Sequence, residues 1–416
     1  MGRSRHGPRQ QVREASAWRR HLDQRERRLI VRRTVLCLGL SQLICWGITY
    51  YLIGALGELI AADLGWSRSL VYGGFSAALL TMGVSSPLVG RMIDRHGGRR
   101  VMVAGSGLIA LGCAGLALVQ DFWAYYAAWA LLGVAMRCTL YDAAFAALAR
   151  IGGPGARRPI AQITLLGGLA STVFWPIGHV LAEHLGWRGA VFAYAGFALL
   201  TVPLHLAIPD ARYGDRPAGE APARPHRAQS RPDRLLAGGL YALVVTLTNV
   251  LNSGMSAHMI GILSGLGLAA SAAVWVGTLR GIGQSSARLC EVFFGGRWHP
   301  LTLNLGAALV LPVGFAAGLW SGHALAAAIA FALLYGAGNG LMTITRGTLP
   351  LVLFDHRTYG ALVGRLLVPS FLLSAVSPLG YALAIERLGE ASALWLSILI
   401  AATTLAAAIA LRVRFG

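Results

Sequence analysis

The stretch Gly90-Arg91-Met92-Ile93-Asp94-Arg95-His96-Gly97-Gly98-Arg99-Arg100 stands between two long apolar runs of the sequence. Its glycines allow a tight turn between two helices. Asp94 is the one acid among four arginines, and an aspartate is favoured at the N-terminus of a neighbouring helix, where the macrodipole is positive. The alternative is a plain basic loop, but the order of the aspartate and the glycines favours a structural contact.

The rest of the chain has the composition of a membrane protein. Of 416 residues, 56% are hydrophobic and 13% are charged, whereas soluble domains are about a quarter charged. The 53 glycines suit close helix packing in lipid, where no hydrophobic force drives association. All 36 basic residues are arginine, which excludes Schiff-base chemistry and an ATP-binding P-loop, since both need lysine.

Twelve apolar runs are long enough to cross a bilayer, which takes about 20 residues. They cover 34–60, 68–90, 101–119, 123–148, 159–182, 189–208, 235–263, 270–293, 301–320, 324–348, 360–385 and 391–411. We therefore predict an all-α membrane protein of twelve transmembrane helices in two six-helix bundles. The predicted parts are a basic tail (1–33), an N-terminal bundle (34–208), a linker rich in Pro and Arg (209–234) and a C-terminal bundle (235–412).

The two predicted bundles contain matching sequence features. Ser85-Ser86 recurs as Ser285-Ser286, and Pro176 recurs as Pro378, at nearly the same offset. Weak internal repeats of this kind are typical of transporters, whose substrate site lies where the repeats meet. The sequence therefore predicts a pseudo-symmetric pair of bundles.

The arginines also predict the orientation of the chain. With both termini on one side, most arginines fall in the tail, the linker and the loops of that side, while Arg68, Arg188 and Arg387 lie on the other. The positive-inside rule then makes both termini cytoplasmic, and we expect an integral protein of a bacterial inner membrane. The orientation of the chain in the membrane accounts for the positive charge, so no nucleic-acid partner is expected. The cysteines and histidines lack metal-ligand spacing, and neither a metal nor a cofactor is expected.

The stretch from residue 90 to residue 100 resembles the G-x-x-x-D-R-x-G-R-R signature of the major facilitator superfamily, at the loop where that family places it. The resemblance implies the major facilitator fold. It also implies that this loop latches the two bundles together on the cytoplasmic side, through Gly90, Asp94, Arg95, Gly98 and Arg99. Phe294 stands where the second half would need the matching aspartate, so we expect an asymmetric latch.

Polar side chains recur along predicted spans 1, 4, 7 and 10. Such stripes should face protein or a water-filled cavity, since polar groups are costly in lipid. The family resemblance also implies that spans 1, 4, 7 and 10 line the central cavity. Hydrogen bonds between helices are an alternative role, and the sequence leaves both open. The candidate binding residues are Gln42, Tyr50, Asn249, Asn252, His258, Asn339 and Thr343.

The eighth span carries Arg280, Gln284 and Arg288 at i, i+4 and i+8, hence on one helical face. An arginine within a span marks a functional site by default, and a guanidinium binds a carboxylate as a bidentate fork. Gln284 to Arg288 also resembles the D-x-x-x-R segment of the monocarboxylate-transporter branch, which implies that Arg288 holds the substrate carboxylate. Gln284 replaces the acid of that segment, so the resemblance does not carry over a proton-coupling mechanism.

Asp142 and Arg346 occupy matching positions in spans 4 and 10. We predict that they meet across the pseudo-symmetry axis and close the cytoplasmic mouth; pairing of Asp142 with Arg137 is the alternative. If transport is coupled to protons, Asp142, Glu58 and His258 are the groups that can titrate. A hydrogen bond that is only structural is the favoured interpretation for His258.

The sequence thus predicts a secondary transporter rather than an enzyme, since no nucleophile, base or metal set is clustered. The net positive charge within the spans favours a small organic anion, similar to a monocarboxylate, moved by alternating access with proton coupling left open. A multidrug or other amphiphile exporter is the alternative. The expected partners are this small molecule and the lipid bilayer, and we expect a monomer.

Overall fold

The computed structural model describes residues 32–213, 227–228, 230–294 and 298–416. Nearly all of the predicted basic tail (1–33) and residues 214–226 of the predicted linker lie outside the described residues. Every regular element in the described part of the chain is helical, as predicted from the apolar runs.

The N-terminal half begins with α1 (Arg32–Leu64), α2 (Arg68–His96), α3 (Gly98–Ala117) and α4 (Phe122–Gly152). A 50-residue helical segment, Arg157–Leu206, follows. It is interrupted at Gly186, whose φ of 67° and ψ of 169° are not helical. Only glycine adopts this conformation readily, and we divide the segment there into α5 (157–185) and α6 (187–206).

The C-terminal half contains α7 (Arg231–Gly265), α8 (Ala270–Phe294) and α9 (Pro300–Gly318). It continues with α10 (Leu325–Leu353), α11 (His356–Leu388) and α12 (Glu390–Phe415). Ten segments of the described chain are long and apolar enough to cross a membrane. Division at Gly186 and addition of the 25-residue α8 give twelve long helices, which fits the predicted number.

The helix ends differ from the predicted runs by only a few residues, and α2 is the informative case. The predicted run stops at 90, but α2 continues to His96, and the turn to α3 consists of Gly97 at φ 84°. The polar stretch is therefore mostly helix. Arginine has a high helix propensity, so the helix continues past the end of the apolar run. Side-chain caps fix the starts of some helices: Ser67 caps the start of α2, and Asp121 caps the start of α4.

Helix packing follows the two halves. Within the first half, α3 packs against α4 and α6, and α2 packs against α4; within the second, α9 packs against α10 and α12, and α7 against α11 and α12. Across the halves, α2 contacts α11 and α5 contacts α8. We call the end of the molecule that carries Asp94 the basic end, and the end that carries Gly186 the opposite end.

Candidate substrate site and gate

Arg280 projects from α8 towards α7 and α10. Its Nη2 atom donates to Oδ1 of Asn252 at 2.5 Å, and its Nη1 atom donates to the hydroxyl of Ser256 at 3.1 Å. The guanidinium carbon lies 5.0 Å from the ring centroid of Tyr335. All of these partners are neutral, and in the described part of the chain no carboxylate forms a salt bridge with Arg280. Its positive charge is therefore held in place without being neutralised.

Three of the predicted binding residues in α7 and α10 are linked to Arg280. Asn339 donates from Nδ2 to the same Oδ1 atom of Asn252 at 3.1 Å, and the Thr343 hydroxyl donates to the Asn339 carbonyl at 3.0 Å. Asn249 donates to the Ser370 hydroxyl of α11 at 2.5 Å. The stripes of spans 7 and 10 thus meet each other.

A small cavity of about 30 Å³ lies between α7, α9 and α10, next to this network. Its polar lining residues are Thr248, Asn249, Asn304, Asn339, Thr343, Thr345 and Arg346. Arg346 is the only charged residue among those that line it.

Tyr50 faces this region from the other half, at the end of a π-helical turn, Trp46–Tyr50, within α1. It lies within electrostatic range of Arg280 and Arg346. Its ring packs edge-on against Phe75, with centroids 5.0 Å apart, and lies 4.8 Å from Trp46. π-helical turns inside α-helices are frequent at functional sites, which is consistent with a binding role for Tyr50; that role stays a prediction.

Two candidate binding residues make contacts within one half. Gln42 is fully buried, and its Nε2 atom donates to the Thr139 carbonyl of α4 at 2.7 Å. His258 lies with Nε2 2.8 Å from the Pro378 carbonyl of α11, and its ring is parallel to that of Tyr381. These geometries match the structural alternatives for both residues, and a binding role for them stays a prediction.

Gln284 and Arg288 share a face of α8 with Arg280 but have different neighbours. A Cβ atom on Gly340 of α10 would lie 2.7 Å from the Gln284 carbonyl, so the two backbones are close at this point. Arg288 is 2% exposed, and its Nη1 atom donates to the Thr164 carbonyl of α5 at 3.0 Å. Arg288 therefore joins the two halves, about 12 Å along the helix axis from Arg280.

Asp142 of α4 and Arg346 of α10 form an ion pair between the two halves. The Nη2 atom of Arg346 lies 2.7 Å from Oδ2 of Asp142, and the side chains are 17% and 5% exposed. The alternative pairing is not seen, since Arg137 donates from Nε to the Ser86 hydroxyl at 2.8 Å. The two residues meet as predicted, and we call them the gate pair; that they act as a gate stays a prediction.

Asp94 joins α2 to the start of α11. Its Oδ1 atom accepts from the Gly360 amide at 2.9 Å, and its Oδ2 atom accepts from the Ala361 amide at 2.7 Å. A Cβ atom on Gly90 would lie 2.0 Å from the Gly360 carbonyl oxygen, so the two backbones touch. We call this contact, Gly90 and Asp94 against Gly360 and Ala361, the first seam.

The other residues of the signature hold α3 and the chain after α6. Gly98 is buried, and a Cβ atom there would lie 2.2 Å from Cβ of Ala147. Arg99 donates from Nε to the Ile208 carbonyl at 2.6 Å, while Arg95 is exposed. Arg150 of α4 donates to the Asp94 carbonyl at 3.3 Å. The signature therefore organises the first half at the basic end as well as joining it to α11.

The matching contact between α5 and α8 is built differently. Arg157 donates from Nη2 to Oε1 of Glu291 at 3.2 Å, beside the contact of Arg288 with Thr164. We call these four residues the second seam. Phe294, which replaces the expected aspartate, is 62% exposed. The expected asymmetry is therefore present: one seam binds a helix N-terminus and the other uses an ion pair.

The second seam ends in a positively charged environment. His299, which caps α9, has a pKa lowered from its usual range by partial burial, and the nearby charges of Arg227, Arg412 and Arg157 lower it further. The described residues hold no group of three His, Cys, Asp or Glu side chains suited to a metal ion.

Sequence reasoning missed several residues of the site. Tyr335 contacts Arg280, and Asn304 lines the cavity from α9, which carries few other polar residues. Asn304 had a detectable signal, because the chain contains only four asparagines and the other three were already candidates. Ser256, which also contacts Arg280, lies on the polar stripe of span 7, whereas for Tyr335 the sequence does not say which way the helix is rotated.

The chain is similar in sequence to known membrane proteins. A sequence profile of the Major Facilitator Superfamily matches residues 38–368. The chain is 30% identical over 165 residues to multidrug resistance protein MdtL of Shigella flexneri, covering 39% of this chain and 41% of that protein. It is 25% identical over 320 residues to human monocarboxylate transporter 11, covering 70% of this chain and 65% of that protein. The chain thus spans less than two thirds of the length of these curated relatives.

Solved structures share the fold. The crystal structure of the human organic anion transporter MFSD10 (TETRAN) superposes with a TM-score of 0.68, at 17% identity, over 91% of this chain and 99% of that chain. At this identity the likeness concerns the fold alone.

Proposed function

The chain belongs to the Major Facilitator Superfamily, and from this premise we propose that it moves a small organic anion across the bacterial inner membrane by alternating access. Both termini are then cytoplasmic, and the basic end is the cytoplasmic end. Family and fold indicate a membrane transporter of small molecules. The nature of the cargo, the orientation of the chain in the membrane and the mechanism of coupling are part of this proposal.

The observation that carries the choice of an anion is the environment of Arg280. A guanidinium stays charged at every physiological pH, and Arg280 is partly buried, where a charge without a counter-ion is less favourable than in water. The contacts of Arg280 with Asn252, Ser256 and Tyr335 orient the charge without cancelling it. A carboxylate ligand would supply the missing negative charge with a bidentate contact.

Alternating access requires contacts that close one end and can be broken. The first seam, the gate pair and the second seam all join the halves at the basic end, so the present arrangement is closed there. In the proposed cycle, cargo reaches Arg280 from the opposite end, and these contacts then separate to release it at the basic end.

A test is uptake by proteoliposomes of a panel of small carboxylates, with and without an imposed pH gradient. Loss of a charged partner from a binding contact costs about 2 kcal/mol or more, so Arg280→Gln should lower the kcat/KM for carboxylates about 30-fold or more. Arg365→Gln is the matched control, because Arg365 is exposed on α11. Equal uptake by the two variants would remove the basis for an anionic cargo.

The same assay addresses Arg288 and proton coupling. If Arg288 also holds the cargo, Arg288→Ala abolishes saturable carboxylate uptake. If transport is coupled to protons, an inward proton gradient raises the initial rate of carboxylate uptake.

An exporter of amphiphiles is the second candidate function. The rings of Trp46, Tyr50 and Phe75 form an aromatic surface opposite Arg280, and MdtL, to which the chain is similar, is described as a multidrug resistance protein. Extrusion of hydrophobic dyes that is unaffected by Arg280→Gln, with no carboxylate uptake, would favour this function.

The gate pair has its own test. Asp142→Arg or Arg346→Asp alone leaves like charges together in a buried site, and breaking a buried pair costs about 3–5 kcal/mol, so each change should abolish transport. The double exchange should restore it in part. Exchange of the exposed pair Glu58 and Arg68, at 56% and 78% exposure, is the control and should have little effect. Absence of rescue would argue that Asp142 and Arg346 act separately.

A further inference from the structure

A cluster of aromatic side chains of the first half lies on the side of the site opposite Arg280. The ring of Trp46 lies 4.8 Å from that of Tyr50 and 6.2 Å from that of Tyr51. We call Trp46, Tyr50, Tyr51 and Phe75 the aromatic wall. We propose that the cargo is an aromatic carboxylate, whose carboxylate binds Arg280 while its ring packs on the aromatic wall. The inference rests on the proposed function and specifies the chemical class of its substrate.

The π-helical turn of α1 assembles the aromatic wall. The Tyr51 amide donates to the Trp46 carbonyl at 3.1 Å, which is the i to i+5 bond of a π-helix. On a regular α-helix, side chains five residues apart point about 140° away from each other. The wider turn brings Tyr51 back towards Trp46 and beside Tyr50. Three aromatic rings therefore share one face of α1.

The aromatic wall and the guanidinium of Arg280 belong to the same site. Tyr50 lies within electrostatic range of Arg280, and Tyr51 lies within range of both Arg280 and Arg288. Since Arg280 and Arg288 are about 12 Å apart along α8, Tyr51 stands beside the stretch of α8 between them. A molecule bound at Arg280 therefore has the aromatic wall across from it.

The structure has open space next to Arg280. Gly281 lies two helical turns from Arg288, hence on the same side of α8, and Arg288 faces α5 of the first half. A Cβ atom on Gly281 would meet no atom within 4 Å. The side of α8 that faces the first half is therefore free beside the guanidinium.

This space is accessible from the opposite end. Residues 52–64 of α1 run to that end, where Asp63 accepts from the Trp187 indole at 3.0 Å. In the described chain they make no extended contact with the second half. Arg280 and Tyr50 are both partly exposed. Cargo can therefore reach both groups by the route that the proposed cycle requires.

Towards the basic end, the space is closed by a floor that both halves build. The Tyr141 hydroxyl and Nη1 of Arg288 donate to the same Thr164 carbonyl, at 3.1 and 3.0 Å. The Tyr141 ring lies 4.9 Å from that of Trp46, so the floor continues the aromatic wall. A molecule with one carboxylate and one ring is shorter than the stretch from Arg280 to Arg288, and it fits above this floor.

The chemistry of the site favours a ring over an aliphatic chain. Aromatic rings pack edge-on or offset at centroid distances of 4.5–7 Å, and such pairs gain more than their buried area supplies. The partners of Arg280, Asn252 and Ser256, are neutral, so its charge is available for a bidentate contact with a carboxylate. An aromatic carboxylate uses both features at once.

The experiment compares benzoate, cyclohexanecarboxylate and acetate by isothermal titration of the purified full-length protein in detergent, with titration into empty micelles as the blank. Benzoate and cyclohexanecarboxylate have the same charge and the same number of carbon atoms, and only benzoate is aromatic. The Kd of benzoate should be about two- to tenfold lower than that of cyclohexanecarboxylate, as expected for an aromatic pair. Acetate, which has no ring to bury, should bind at least about tenfold more weakly than benzoate.

Variants of Tyr50 test the aromatic wall. Tyr50→Leu should bring the Kd values of benzoate and cyclohexanecarboxylate within about twofold, whereas Tyr50→Phe keeps the ring and should keep the preference. Tyr126→Leu is the matched control, because Tyr126 is also partly exposed but packs within the first half, against Phe122 and the Leu70 carbonyl. If Tyr50→Leu does not fold, Phe75→Leu removes the neighbouring ring and should lower the preference in the same direction.

The outcomes separate this inference from the proposed function. Equal Kd values for benzoate and cyclohexanecarboxylate in the unaltered protein, both raised by Arg280→Gln, would overturn the aromatic cargo and leave an organic anion as the cargo. A preference for benzoate that persists in Tyr50→Leu and Phe75→Leu would overturn the role of the aromatic wall. A benzoate Kd that Arg280→Gln leaves unchanged would overturn both the inference and the choice of an anion.

Discussion

The first and second seams occupy equivalent places in the two halves, yet they hold the basic end closed by different chemistry. In the first seam, a carboxylate binds two backbone amides at 2.9 and 2.7 Å, and two glycine backbones touch. In the second, Glu291 binds the side chain of Arg157 at 3.2 Å. Backbone amides at a helix start cannot move away, whereas an arginine side chain can be hydrated or change partner. The first seam should therefore dominate the stability of the closed state.

The largest effect should follow a change that separates the backbones of the first seam. Gly90→Leu places a side chain where a Cβ atom would already be 2.0 Å from the Gly360 oxygen. Overpacking of this kind costs about 3 kcal/mol, so the closed state should no longer be the major population. Spin labels at His96 and Arg357 should show a longer distance across the basic end. Gly107→Leu, where a Cβ atom meets nothing within 4 Å, should leave the distance unchanged.

Removal of the charge of Asp94 should have the next largest effect. Asp94→Asn keeps the shape but loses the interaction with the macrodipole, worth up to about 2 kcal/mol when partly buried. The ratio of closed to open molecules should fall about 5- to 30-fold, as measured with the same labels. Asp121→Asn is the control, because Asp121 caps its own helix α4 and joins no halves. If Asp94→Asn and Asp121→Asn lower the ratio of closed to open molecules equally, the loss of a helix cap, and not the loss of the contact between the halves, would explain the effect.

The second seam should respond less. Glu291→Gln removes the charge of a carboxylate that is 4% exposed but keeps an amide oxygen that can accept from Arg157, which is 23% exposed; a hydrogen bond to a charged group is worth about 1 kcal/mol more than one between neutral groups, so we expect a loss of about 1 kcal/mol. Spin labels at Gly155 and Trp298 should report a change of about fivefold in the population of the closed state. Glu183→Gln, in an exposed contact with His179, is the control. A loss larger than that of Asp94→Asn would reverse the ranking of the seams.

The smallest effect should come from making the seams more alike. Phe294→Asp places an acid in the positive environment shown by the lowered pKa of His299. Because Phe294 is 62% exposed, the gain should be about 0.5 kcal/mol or less, typical of exposed pairs. A negative charge nearby stabilises the charged imidazole, so the pKa of His299 should rise, as histidine NMR can measure. An unchanged pKa would mean that the new carboxylate lies too far away.

The parts of the structure that follow short-range rules could be predicted from the sequence. The apolar runs gave the helices, and the Asp94 motif gave the contact of α2 with a helix start. The meeting of Asp142 with Arg346 came from their matching positions in the two halves. Each of these predictions depends on a pattern that is complete in the sequence itself.

Contacts that depend on helix rotation could not be predicted. A polar stripe covers a wide part of a helix surface, and its neighbours decide which residue faces a cavity. Gln42 and His258 lie on polar stripes but bond to Thr139 and Pro378 within their own halves. The pairing of Glu291 with Arg157 and the place of Asn304 at the cavity also depend on how α5, α8 and α9 are rotated.

The touching backbones of Gly90 and Gly360 bear on how fast the protein can cycle. Glycine has no side chain whose rotamers must be frozen when a contact forms. Each closure of this seam therefore brings together surfaces that are already rigid, and each opening releases no side chains that must later be reordered. The rate of opening and closing should then be limited by the movement of the two halves of the molecule. Repacking of side chains between Gly90 and Gly360 should contribute little.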